Sequence, residues 1–366
     1  MTDLIKARTL LIGVALFVVS ISTALSQTAE QAEPKSEDAL TKLEKSPYLL
    51  APVFQANPKL GVSAGALAGL IHYFDEKSRP SIFAVMAQYT STESIIAAVL
   101  ARTSFDEDHQ RLIAGISYGR IKNDYDDYLG TGVPLKNNAE MRAIIARYTY
   151  RVTGNWFVGV QGIDQNFDIA GETGFDDLVL DTLGVVPFRN VGVGLVVQND
   201  ARDSENSPTK GWLVNFNNMV YRQSLGGDAD SEMYRVDLRY YMPHGNGHVV
   251  AVRQLNHFTH DAPNAARAPV QLRGYKVGQY SGTNMSSIEA EERYRFNDKW
   301  RANVFAGVAC LYGGNQSCTE NSSVFPMAGL GVQYVLKPKE GIVLNLEYAA
   351  GRDDNQGVYL KMKYAY

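Results

Sequence analysis

Val358-Tyr-Leu-Lys-Met-Lys-Tyr-Ala-Tyr366 alternates without a break. In an extended chain Val358, Leu360, Met362, Tyr364 and Tyr366 share one face, and Tyr359, Lys361, Lys363 and Ala365 share the other, because a strand has a side-chain period of two. One face is apolar; the other carries two ammonium groups. A soluble sheet can use such a strand, and so can the wall of a barrel in a membrane.

Other runs repeat the pattern. Across 233–242, Tyr234, Val236, Leu238, Tyr240 and Met242 oppose Arg235, Asp237, Arg239 and Tyr241. Across 342–349, Ile342, Leu344, Leu346 and Tyr348 oppose Val343, Asn345, Glu347 and Ala349. Across 191–198, Val191, Val193, Leu195 and Val197 oppose Gly192, Gly194, Val196 and Gln198. The second set is mostly charged, polar or glycine. A sandwich would bury the apolar set and show the polar one to water; a membrane barrel inverts this. Alternation alone does not say which face is outside.

The start of the chain favours apolar-out. Lys6 and Arg8 precede an apolar run from Thr9 to Val19, and Ala24-Leu25-Ser26 precedes Gln27. Residues 1–26 therefore read as a signal peptide, with an apolar run short of the ~20 residues a spanning helix needs. Residues 27–45, rich in Gln, Glu, Lys and Ser, read as a disordered periplasmic linker. Residues 46–366 read as the barrel domain. A formal net charge of −4 with no basic run argues against a nucleic-acid partner. Cys310 and Cys318 flank a Gly-Gly-Asn turn, and in an exported chain this spacing predicts a local disulfide.

Alternating runs separated by turn signals predict about 16 strands, an even number as single-chain bacterial barrels have. They fall at 47–56, 59–74, 81–91, 93–105, 110–122, 139–152, 155–167, 190–200, 210–224, 231–243, 247–258, 286–296, 299–311, 323–336, 341–350 and 357–366. The fold class is all-β, a transmembrane antiparallel up-and-down barrel. Short polar turns alternate with long connections at 123–138, 168–189, 259–285 and 312–322. No segment of ten or more residues beyond the signal peptide has a helical period.

Two motifs add a resemblance. Asp200-Ala-Arg202-Asp203, followed by Pro208-Thr-Lys-Gly211-Trp212, joins two predicted strands; Gln271-Leu-Arg273-Gly274-Tyr275 lies in the longest late connection. With the aromatic final strand, this order resembles the BamA/TamA-like outer-membrane β-barrel family of bacterial surface antigens, over most of 46–366. The resemblance implies a periplasmic turn built on Asp200, Arg202, Asp203, Pro208 and Gly211. It implies a loop whose Arg273, Gly274 and Tyr275 fold into the lumen, and a sorting strand ending in Tyr364 and Tyr366. The family's arginine usually meets an Asp in an F-x-D-x-G strand. Here that stretch reads Phe305-Ala-Gly307, so another acid must serve: Glu291 first, then Glu289 or Glu347.

The family also carries POTRA domains, and 27–45 is too short for one. The resemblance implies outer-membrane protein assembly, insertion or translocation, without enzymatic activity or cofactor, in the bacterial outer membrane. The partners it implies are the lipid bilayer and lipopolysaccharide, the barrel assembly machinery, and unfolded outer-membrane clients or a periplasmic partner in trans. A passive channel or structural surface antigen is the alternative.

A remote alternative is a patatin-like esterase. Gly61-Val-Ser63-Ala-Gly65 fits G-x-S-x-G, but that chemistry needs a strand–turn–helix elbow and an oxyanion loop, and no glycine triplet precedes it. His244 with His248, and His257 with His260, read as solvated pairs at strand ends rather than metal ligands.

Overall fold

The computed structural model describes residues 46–57, 61–125, 128, 131–185 and 187–361. The segments read as signal peptide and linker, and Tyr364 and Tyr366 of the sorting strand, lie outside the described residues.

The strands are β1 (Tyr48–Asn57), β2 (Gly61–His72), β3 (Ser81–Thr90), β4 (Ile95–Phe105), β5 (Gln110–Tyr125), β6 (Leu135–Thr153), β7 (Trp156–Gly171), β8 (Phe188–Asp200), β9 (Gly211–Tyr221), β10 (Ser231–His244), β11 (His248–His260), β12 (Ala268–Pro269), β13 (Ser281–Gly282), β14 (Asn284–Arg295), β15 (Trp300–Tyr312), β16 (Val324–Lys337), β17 (Ile342–Gly351) and β18 (Gln356–Lys361). Sixteen of them close one antiparallel up-and-down barrel; β11 pairs with β14, and β18 pairs with β1. β12 and β13 form a two-stranded ribbon inside the connection between β11 and β14. Closure gives every wall strand two hydrogen-bonded neighbours, which is the condition for a sheet to cross hydrocarbon.

The outer wall is apolar. Val99, Ile116, Ile144, Val160, Leu195 and Leu330 are each more than half exposed. An apolar surface this continuous is stable only under lipid. All three tryptophans of the chain, Trp156, Trp212 and Trp300, sit at the short-turn ends of β7, β9 and β15, half exposed and level with Tyr48, Tyr150, Tyr240 and Tyr294. This is an aromatic girdle at one membrane interface. Ile342, expected outward, is instead buried with Leu49 and Ile71. A register shift between Val335 and Lys337 disturbs the pairing at that strand end.

The inner wall departs from the polar expectation. Leu255, Met285, Phe305, Ala309, Leu311, Phe325 and Met327 are buried on the lumen side, under Val270, Leu272, Tyr275 and Tyr280 of the β11–β14 connection. Side chains fill this part of the lumen, so its wall behaves as a protein core. The 168–189 connection is also more ordered than expected. β7 continues to Gly171, and a nine-residue helix, α1 (Gly174–Thr182), follows. Thr173 caps it, accepting from Asp176 N while the Asp176 carboxylate accepts from Thr173 N. The cap holds the Asp176 carboxyl below the usual carboxylate range, chiefly through the Thr173 hydroxyl. At nine residues the helix is too short for a ten-residue periodicity to reveal.

Candidate functional site

Residues 261–283 turn into the barrel and present Arg273 to the wall. Its Nη1 lies 3.0 Å from Glu291 Oε2 and 2.9 Å from Glu347 Oε1, and its Nη2 lies 3.5 Å from Glu289 Oε2. The guanidinium stacks on Phe305, with Cζ 3.3 Å from the ring centroid. All four ionic side chains are buried. Burying them is costly, and a dense ion-pair network compensates. Arg293 Nε donates to Glu291 Oε1 at 2.7 Å, Asn303 and Asn345 donate to Glu347 Oε1 at 3.0 and 2.8 Å, and Lys361 Nζ lies 3.7 Å from Glu347 Oε2. Thus Arg273 meets Glu291, and also the two other acids on the same inward face.

Gly307 occupies the position where the resemblance leads one to look for an acid. It is the cross-strand partner of Glu289. A Cβ at 307 would come within 2.7 Å of Ile288 O and 2.9 Å of Glu289 Cγ. The missing side chain leaves the space that the Glu289 stem occupies.

The next two residues tie the loop to the wall. Gly274 has φ +91°, the left-handed region a glycine adopts freely. Its N–H donates to Tyr359 Oη at 2.9 Å. Tyr275 Oη donates to Pro326 O at 2.5 Å and accepts from Arg352 N at 3.0 Å. A Cβ at Gly351 would overlap the Tyr275 ring at 2.4 Å. On the far side of the lumen, Lys276 Nζ donates to Asp124 O at 3.0 Å. The loop therefore bridges β5 and the β14–β18 wall.

The turn 201–210 forms a second cluster at the short-turn rim. Asp200, with no side-chain exposure, accepts from Arg79 Nη1 at 2.7 Å, Arg111 Nη1 at 2.9 Å and Arg202 Nε at 2.8 Å. Asp108 pairs with Arg111 at 2.7 Å and with Arg151. Asp203 closes the turn by accepting from Thr209 N at 2.9 Å and Thr209 Oγ1 at 2.5 Å. Gly211 has φ +97°, and a Cβ there would meet Ala201 O at 2.1 Å. Across the same rim, Arg102 Nη2 donates to Asn206 Oδ1 at 2.5 Å, and Asn206 Nδ2 donates to Glu340 O at 2.9 Å. The turn thus touches β4 and the β16–β17 connection at once, and spans the mouth.

Burial works against ionisation of Asp108, yet the Arg111 hydrogen bonds and charge hold its carboxyl below the usual range. Burial also opposes ionisation of Glu205, and Arg102, Arg202 and Arg79 outweigh it.

Arg293 joins the two clusters. Its Nη1 donates to Pro208 O at 3.1 Å while its Nε holds Glu291. Arg293 was not among the expected site residues, although alternation places it on the same face as Glu289 and Glu291. Arg79, Arg111 and Asp108 were also missed. They lie in other connections and strands, and only barrel closure brings them to Asp200. Cys310 of β15 and Cys318 of the β15–β16 connection form a disulfide, with Cα atoms 5.5 Å apart.

Ser63 lies within strand β2, registered with Gln55 on β1 and Thr90 on β3. This is not the strand–turn–helix a nucleophile elbow requires. His257, expected to be solvated, faces the lumen with neither ring nitrogen hydrogen-bonded. His244 Nε2 instead lies 2.9 Å from Glu292, and His248 Nδ1 accepts from Arg295 N at 3.0 Å. Among the described residues no group of three or more His, Cys, Asp or Glu could hold a metal ion.

The seam is the remaining element. β1 and β18 register over Phe54↔Leu360, Gln55↔Tyr359 and Ala56↔Val358 among the described residues, whereas β1 registers with β2 along its whole length, from Tyr48↔Leu70 to Asn57↔Gly61. Pro52, which has no N–H to donate, lies on β1.

Neither a protein-family model nor a curated protein matches this chain. Solved structures do. BamA from Haemophilus ducreyi lacking POTRA domains 1–3 superposes with TM-score 0.54 at 13% identity, covering 87% of this chain and 69% of that one. CdiB from Acinetobacter baumannii gives 0.55 at 14% identity, covering 87% and 59%. CdiB from Escherichia coli gives 0.58 at 10% identity, covering 86% and 62%. The chain spans 59% and 62% of the two CdiB chains. The fold is that of the BamA and CdiB barrels.

Proposed function

We propose that this protein is an outer-membrane barrel of the assembly, insertion or translocation type, working through its β1–β18 seam. The observation that carries this reading is a lumen loop that holds the β18 side of the seam. Tyr359 and Lys361 of β18 both meet that loop's cluster, one through Gly274 N and the other through Glu347. Unpaired N–H and C=O groups at an open seam would template an incoming strand. The partners of this reading are the lipid bilayer and lipopolysaccharide, the barrel assembly machinery during biogenesis, and unfolded outer-membrane clients. It needs no catalytic residue.

The passive-channel reading requires a continuous bore. Against it, the 201–210 turn reaches from β4 to the β16–β17 connection across the short-turn mouth, and Arg102, Arg111 and Glu205 border a cavity of only about 40 Å³ there. A reversible lock separates the two readings. Phe54→Cys with Leu360→Cys places thiols at registered seam positions. Oxidation should abolish accelerated insertion of an unfolded barrel protein into liposomes, and reduction should restore it. Equal acceleration in both states, or steady conductance with none in either, would sink the proposal.

A further inference from the structure

Away from the Arg273 cluster the lumen holds two adjoining chambers. The upper, about 440 Å³, is lined by Ile121, Met141, Phe167, Ile169 and Phe188 of β5–β8, and by Val277 of the docked loop. Phe167 and Phe188 stack with centroids 5.0 Å apart, giving a flat aromatic face. The lower, about 420 Å³, shares Tyr221 and Met233 with the upper and is lined by Arg147, Gln161, Asn217, Arg235 and Arg239. Ile113 and Arg147 border both it and the smaller space above the 201–210 turn.

The charges here are unbalanced. Asp237 is the lower chamber's one lining carboxylate, and it is already held by Arg239 at 2.7–3.0 Å and by Arg253 at 3.0 Å. Among the described residues the Arg147 side chain is bonded only to the neutral Gln161 Oε1, at 2.9 and 2.5 Å. The Arg235 side chain makes no direct hydrogen bond or ion pair among the described residues; Asp237 attracts it from a distance, and Arg253, Arg239 and Arg147 oppose that attraction. Its registered partner across β10–β11 is His257, whose ring nitrogens are both buried and without a hydrogen-bond partner. Buried polar groups are normally satisfied, so the orphan imidazole, registered opposite a guanidinium with no direct partner, points to a ligand. The Arg273 cluster, by contrast, faces three carboxylates.

An apolar wall in a water-filled lumen costs free energy that an apolar guest would recover. We propose that the two chambers form one site for a small amphipathic anion, its head on Arg235, His257 and Arg147 and its apolar or aromatic body against Phe167, Phe188 and Met141. A guanidinium fork accepts carboxylate and phosphate alike, and the chamber volumes fall in the usual range for small-molecule sites, about 300–1,000 Å³.

Octanoate, octyl phosphate and octyltrimethylammonium, titrated calorimetrically into the protein in lipid nanodiscs against empty nanodiscs, test this. Saturable uptake of one or both anions, with none of the cation, is expected. The anion that binds tighter identifies the head group. Arg147→Gln with Arg235→Gln should weaken binding at least tenfold, His257→Leu about threefold, and Arg235→Lys less than the glutamine pair. Inorganic phosphate should not compete at equal concentration. Uptake no greater than in empty nanodiscs, equal uptake of the cation, full displacement by inorganic phosphate, or unchanged affinity in a correctly folded glutamine pair would overturn the site. Should that pair not fold, the contrast between anion and cation on the parent protein decides alone.

Discussion

The phenolic oxygen of Tyr359 accepts a hydrogen bond from the backbone N–H of Gly274 at 2.9 Å, so the seam strand is fastened from inside by the docked loop. Tyr359→Phe deletes the acceptor and leaves the ring. The loss should be about 0.5–1.5 kcal/mol, seen as faster amide exchange in β1 and β18 with little change in β5–β9. Identical exchange in the variant and the parent would mean the bond does not hold the seam.

Arg273→Ala would leave three buried carboxylates facing one another. Breaking a buried pair by removing one partner costs about 3–5 kcal/mol. The heat-modifiable band on gels should convert at a markedly lower temperature than in the parent. Arg273→Lys should restore only part of the loss, because an ammonium has neither the fork nor the flat face that stacks on Phe305. Full restoration by lysine would show that charge alone matters.

Gly307→Asp returns an acid to the position the resemblance suggests, but crowds Ile288 O and the Glu289 stem. Overpacking of this kind costs about 1–3 kcal/mol, and a fourth carboxylate adds to it. Glu289→Gly in the same chain should recover stability by relieving both effects. A Gly307→Asp protein as stable as the parent would refute the account of Gly307 as space for Glu289.

Acid should loosen the rim before it loosens the wall. Asp108 and Glu205 are both held below the usual carboxylate range in the folded protein. The unfolded chain then binds protons first as pH falls. The stabilisation is complete above the unfolded value, about 4, and is lost as pH drops through the depressed folded values. The urea midpoint in vesicles should be flat near neutrality and fall below about pH 4. Asp108→Asn should lower the neutral midpoint and flatten the acid slope. A midpoint that rises on acidification would contradict the assignment.

The barrel was legible because lipid imposes one requirement on every strand. Val193, Val236 and Leu346 must face out whatever fills the inside, so a period of two survives in each run. The filling was not legible. Alternation assigns Phe305, Phe325 and Met327 to the lumen but does not say that Leu272 and Tyr275 come to cover them. Arg293 carried a usable signal, being two residues beyond Glu291 on the same face. Asp200 and Arg79 did not, since their contact spans 121 residues of sequence and exists only once the barrel closes. The helix at Gly174–Thr182 was hidden by length alone.

With all three indoles at one rim, the intrinsic fluorescence of this protein is a single-depth signal. A chain inserting with its short turns trailing would never carry an indole through the hydrocarbon. Quenchers at the near headgroups should respond during insertion, and quenchers at the bilayer midplane should stay silent. Insertion with the short turns leading would light both in sequence. Emission from the unmodified protein therefore reports the direction of entry.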